Sequence, residues 1–123
     1  MVNNDLKDIT ILYAEDEDLI RESVSMLLKR RVKEVVMAEN GQIALNKFNE
    51  NKPDILVTDL QMPIMTGMEL AKQIRQVDPD FPIVVISAYN DESHQVPEAS
   101  GRLLKPVQKN ELLEVIANCV GSR

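Results

Sequence analysis

The chain has 123 residues, 44% hydrophobic and 28% charged, one domain's worth of sequence with enough apolar material for a core, which excludes a multidomain enzyme and a disordered segment. Its net charge of −6 repels nucleic-acid phosphates and anionic headgroups, so neither direct nucleic-acid binding nor membrane association is expected. The single Cys119 forms no internal disulfide, no apolar stretch approaches the ~20 residues of a membrane span, and Met1-Val2-Asn3-Asn4-Asp5 lacks a signal-peptide pattern, so the expectation is a cytoplasmic protein.

In chain order, Ile9 to Ala14 is a short, β-branched apolar run that reads as a buried strand. Ile20, Val24, Leu27 and Leu28 then form the stripe of an amphipathic helix, with Arg21, Glu22, Lys29 and Arg30 on its other face. Val35 to Ala38 is the second strand. Asn40-Gly41 punctuates the chain before Ile43, Ala44, Leu45 and Phe48, which suit a shorter helix ending at Asn51-Lys52-Pro53. Ile55 to Thr58 is the third strand, and Leu70, Ile74 and Val77 mark a helix closed by Asp78-Pro79. Ile83 to Ile86 and Leu103 to Leu104 are the last two strands. Between them, Ser87 to Gly101 is long enough to cross over but contains Ser93, Pro97, Ser100 and Gly101 and shows little apolar period. The final helix runs from Glu111 to Val120, with Asn110 as N-cap, Leu112, Leu113, Ile116 and Val120 inward, and Gly121 beyond its end.

Strands alternating with helices imply a parallel sheet covered on both faces. The predicted class is α/β: a flavodoxin-like three-layer sandwich with a five-stranded parallel sheet of order 2-1-3-4-5, the helix of the fourth crossover being shortened or irregular.

In such sheets ligands bind beyond the carboxyl ends of the strands. Here the first strand runs into Glu15-Asp16, the third into Asp59, the fourth into Ser87 and the fifth into Lys105. Each alone has an ordinary explanation: a solvated acidic helix start, a turn residue, a helix cap, a surface charge. Together they place three carboxylates and one ammonium at one sheet edge, a deficit of two charges that one divalent ion balances. Oxygen-only ligands favour Mg²⁺. A carboxylate beside a metal, a lysine and a hydroxyl suits phosphoryl transfer, whose transition state spreads negative charge over three oxygens. Asp59 is the better nucleophile candidate, because Pro63 and Gly67 can fix the loop that follows it.

At these residues the sequence resembles the receiver domain of two-component response regulators, over essentially its whole length, so that residues 1–123 read as a single receiver domain. The string Asp59-Leu60-Gln61-Met62-Pro63-Ile64-Met65-Thr66-Gly67 looks like the family's phosphorylation loop, and Glu15-Asp16, Ser87-Ala88 and Lys105-Pro106 match its other signatures. The resemblance implies that Asp59 accepts a phosphoryl group from a sensor histidine kinase or phosphotransfer protein. It also implies that Asp16, Asp59 and the backbone carbonyl of Gln61 bind Mg²⁺, with Glu15 acting through water. Ser87 and Lys105 would each contact a phosphoryl oxygen, a cis peptide before Pro106 setting the lysine's direction. The output partner or domain is unspecified, and homodimerisation is left open.

Two departures stand out. Arg102 occupies the position of the family's usual aromatic switch, and the span from Ser87 to Lys105 is several residues shorter than in typical members. Tyr89, two residues after Ser87, is a candidate either to stand in for that aromatic or to influence access to the phosphate. His94 reads as a surface residue, Cys119 as near-core packing, and Met62, Met65 and Met68 as loop and core packing rather than metal ligands. Asp16-Glu17-Asp18 lacks the later ligands of a calcium loop.

Competing functions are an aspartyl-phosphate phosphohydrolase, a nucleotide- or flavin-binding domain, and a receiver-like module that signals without phosphorylation. The first is weakened by Gln61, which stands where haloacid-dehalogenase-like hydrolases carry a second aspartate; the second by the absence of a Gly-rich phosphate loop. The leading expectation is a signalling domain that catalyses its own modification without being a conventional enzyme.

Overall fold

The computed structural model describes residues 6–88 and 96–121. Short runs of β-branched residues form five strands, β1 (Thr10–Ala14), β2 (Glu34–Ala38), β3 (Ile55–Asp59), β4 (Ile83–Ser87) and β5 (Gly101–Leu104). They pair in parallel in the order β2-β1-β3-β4-β5, as the sequence predicts. Four helices are described: α1 (Asp18–Lys29), α2 (Gly41–Glu50), α3 (Gly67–Val77) and α4 (Lys109–Gly121).

Because successive side chains on a strand point to opposite faces, the central strands feed two cores. Leu12, Leu56, Ile83 and Val85 meet Ala44 and Phe48 of α2 and Leu70, Ala71 and Ile74 of α3. Ile11, Tyr13, Ile55, Val57, Val84 and Ile86 meet Leu28 of α1 and Leu112, Leu113 and Ile116 of α4. This is the expected three-layer sandwich.

Several details differ from the sequence reading. Val77 is 63% exposed, because it lies at the last turn of α3, beyond the stretch that Leu70, Ala71 and Ile74 bury against the sheet. Ser25, outside the apolar stripe, is buried on α1 together with Leu28. Arg21 belongs to the site rather than to a solvated face. Asn110 is not the cap of α4: Leu112 N–H already bonds to Gln108 O at 2.9 Å, so the first turn forms earlier and Asn110 lies inside it. Gly121, expected beyond the helix, is its last residue, within the one- or two-residue variability of helix ends.

Of the connection between β4 and β5, residues 96–100 carry turns and no helix, in keeping with an irregular crossover. Tyr89, Ser93 and His94 lie outside the described residues.

Candidate functional site

The polar residues after β1, β3, β4 and β5 converge because parallel strands in register end at one edge. Ala14 pairs with Thr58, Asp59 with Ile86, and Ser87 with Leu104. One step further on, Glu15 and Asp16 follow β1 and Lys105 follows β5.

Glu15, Asp16 and Asp59 each offer a carboxylate oxygen within 4.8 Å of the others. Glu15 and Asp59 are buried, and Asp16 is exposed. Lys105 reaches in from the next strand end, its Nζ 3.3 Å from Asp59 Oδ2. The Lys105–Pro106 peptide is cis, as the resemblance implied. Asp59 Oδ1 accepts from Leu60 N–H at 2.9 Å, which aims the carboxylate from both sides. Ser87 is buried at the end of β4, and its carbonyl accepts from Lys105 N–H at 2.9 Å. Gln61 sits exposed in the loop after Asp59.

Burial raises the Asp59 pKa above the ordinary carboxylate value, with Lys105 opposing the rise. Burial also pushes Glu15 up to about 7, assisted by the charge of Asp59. Lys105 is raised despite the burial that works against its charge, because Asp59 and Glu15 hold the proton on it. Two ionised carboxylates no more than 4.8 Å apart repel by at least ~3.5 kcal/mol at an effective dielectric near 20. One ammonium bonded to one of three carboxylates does not offset that. The donor set, all oxygen and anionic, fits a hard divalent cation such as Mg²⁺.

Arg21 is the contributor that the sequence reading missed. Its guanidinium folds back over the start of α1, donating to Glu15 O at 2.7 Å and to Asp18 Oδ1 at 2.5 Å. Glu15 Oε2 in turn accepts from Glu17 N–H at 3.1 Å. The three-residue spacing of Asp18 and Arg21 on a helix was the legible signal.

Residues 11–117 match the family model of the response regulator receiver domain. The chain belongs to that family. The receiver domain is 40% identical over 87 residues to response regulator RR06 of Streptococcus pneumoniae, covering 71% of this chain and 40% of that protein. It is 34% identical over 113 residues to the transcriptional regulatory protein YdfI of Bacillus subtilis, covering 86% of this chain and 52% of that protein. The chain thus spans about half or less of these curated relatives. A receiver domain protein from Clostridium thermocellum superposes with a TM-score of 0.86 at 27% identity, covering 93% of this chain and 95% of that one. Receiver domains are the phosphoacceptor signalling modules of two-component systems, and the family generally uses Mg²⁺ at an acidic pocket of this kind.

Other features of this receiver domain follow its sequence. Met62 is buried in the core, and Met65 and Met68 pack against it. Cys119 is half-buried, and burial pushes its thiol pKa up, which suits packing rather than reactivity. Arg102 is half-buried on β5. No helix among the described residues is long and apolar enough to cross a membrane.

Proposed function

We propose that residues 1–123 act as one receiver domain in which Asp59 takes the phosphoryl group from the phosphohistidine of a sensor histidine kinase or phosphotransfer protein. The Asp59 carboxylate, aimed by Leu60 N–H and Lys105 in the midst of Glu15 and Asp16, is the observation that carries this reading. An Asp59 oxygen forms the new bond to phosphorus as the phosphorus–nitrogen bond breaks, and the departing histidine nitrogen keeps that electron pair. Lys105 neutralises charge on the transferred group, and the hydroxyl of Ser87, a buried residue on the adjacent strand end, would donate to one of its oxygens. Asp16, Asp59 and the Gln61 carbonyl would hold Mg²⁺, with Glu15 contributing through water; the ion supplies the positive charge that brings two anions together. The acyl phosphate then shifts the domain between two conformations read by an output partner or domain. The chain modifies itself and turns over no separate substrate.

Beryllofluoride, which forms an acyl-phosphate-like adduct on a carboxylate, tests the site. Saturable binding that requires Mg²⁺ and disappears in Asp59→Asn is expected. Equal binding by Asp59→Asn would place the acceptor elsewhere.

A further inference from the structure

The loop after Asp59 holds an uncommon shape. Met65 N–H donates to Pro63 O at 2.7 Å, closing a three-residue turn across Ile64, whose φ is 70°. A γ-turn of this hand is rare and strained, more so at a β-branched residue. Ile64 is 79% exposed, so its own packing does not hold it there. The restraint lies beyond Met65. Gly41, the first residue of α2, donates its N–H to Met65 O at 3.1 Å, and a Cβ on Gly41 would lie 2.3 Å from that oxygen and 2.8 Å from Met65 Cβ. The loop's other end is seated likewise: Gly67 N–H donates to Leu60 O at 2.8 Å, and a Cβ there would lie 2.2 Å from Asp59 O. The stretch that carries Gln61 is therefore pinned at both ends by backbone contacts that only glycine allows.

We propose that Gly41, on an element that contributes no side chain to the acidic cluster, is a positioning residue for the phosphoacceptor site. It is the seat against which the strained Pro63-Ile64-Met65 turn is held, and it thereby sets where the Gln61 carbonyl and the Asp59 backbone lie. This inference rests on the metal-binding reading of the site given above. Asn40 fixes the seat: its buried side chain caps α2, Oδ1 accepting from Ile43 N–H at 2.8 Å. A side chain at Gly41 must push Met65 away by roughly 1 Å, and disturbing the groups that orient metal ligands typically costs about 10–100-fold in metal affinity.

The test titrates Mg²⁺ into wild type and Gly41→Ala, following the Leu60 and Gly67 amide signals by NMR. Gly41→Ala is expected to displace both signals before metal is added and to weaken Mg²⁺ affinity by about tenfold or more. Gly121→Ala, where an added Cβ meets nothing within 4 Å, should change neither. Phe48→Leu, which loosens α2 at its far end, should lower the melting temperature and leave Mg²⁺ affinity within about twofold, separating positioning from stability. Should Gly41→Ala not fold, Asn40→Ala is compared with Phe48→Leu at matched melting temperature, and a weaker Mg²⁺ affinity in Asn40→Ala alone supports the proposal. A folded Gly41→Ala or Asn40→Ala with wild-type affinity overturns it. Failure of the wild type itself to bind Mg²⁺ would overturn the proposed function, and this inference with it.

Discussion

Glu15 is the side chain whose charge depends most on what else occupies the site. Without metal, burial and the neighbouring Asp59 raise its pKa from 4.5 to about 7, so the folded protein holds a proton there that the unfolded chain releases. The stability linked to this proton is fully present below the unfolded value and is lost as pH rises through about 7. A divalent cation reverses the preference by favouring the ionised carboxylate. Mg²⁺ should therefore raise the melting temperature more at about pH 8 than at about pH 5.5, where it must displace the proton. Thermal melts with and without Mg²⁺ check this, and an equal increment at both would remove Glu15 from the metal's neighbourhood. The acidic cluster was legible because each member ends a strand. Gly41 was not, because its role depends on a distance between two backbones that leaves no periodic trace, and for Arg21 only the spacing from Asp18 was legible, not the fold-back onto the Glu15 carbonyl.

At the scale of elements, the strands were legible because both faces of the sheet are covered, which demands unbroken apolar runs. Helix ends were less so. The helix α4 begins before Asn110 because its first hydrogen bond uses the carbonyl of Gln108, whereas cap preferences point to asparagine. The start of α3 carries a signal that the sequence holds in the spacing of Thr66 and Glu69. Thr66 Oγ1 accepts from Glu69 N–H at 3.1 Å, and Glu69 Oε1 accepts from Thr66 N–H at 2.9 Å, a reciprocal capping box next to the phosphorylation loop. Replacing Thr66 by Ala should cost about 1 kcal/mol in urea unfolding. No measurable loss would mean that the seating of Gly67 alone defines the end of α3.

Across the whole molecule, the crossover after β4 is the connection whose residues show little apolar period. Its described end is strapped to α3 by Arg75, which donates to Glu98 O at 3.0 Å, to Ser100 Oγ at 3.1 Å and to Phe81 O. Ser100 Oγ also accepts from Ile83 N–H at 3.1 Å, and Ser100 N–H bonds to Ile83 O at 2.7 Å, so the strap feeds directly into the start of β4. Arg75→Ala should speed amide exchange at Ser100 while leaving the Asp59 cluster intact; unchanged exchange would show that the two Ile83 bonds suffice. The sequence suggested an irregular crossover from its missing apolar period, but residue types alone could not show what ties it down, because the tie comes from an arginine on another element. The helix α3 thus spans from Gly67, seated on the Asp59 backbone, to Arg75 and the crossover.

The proposed function rests on Asp59 being the phosphoacceptor. Incubating the protein with acetyl phosphate and Mg²⁺ and mapping the modified residue by mass spectrometry tests that claim most directly. The prediction is one hydroxylamine-labile phosphate on Asp59, lost when Mg²⁺ is chelated beforehand and absent from Asp59→Asn. A phosphate of that kind retained by Asp59→Asn, or none formed on the wild type at any Mg²⁺ concentration, would contradict it.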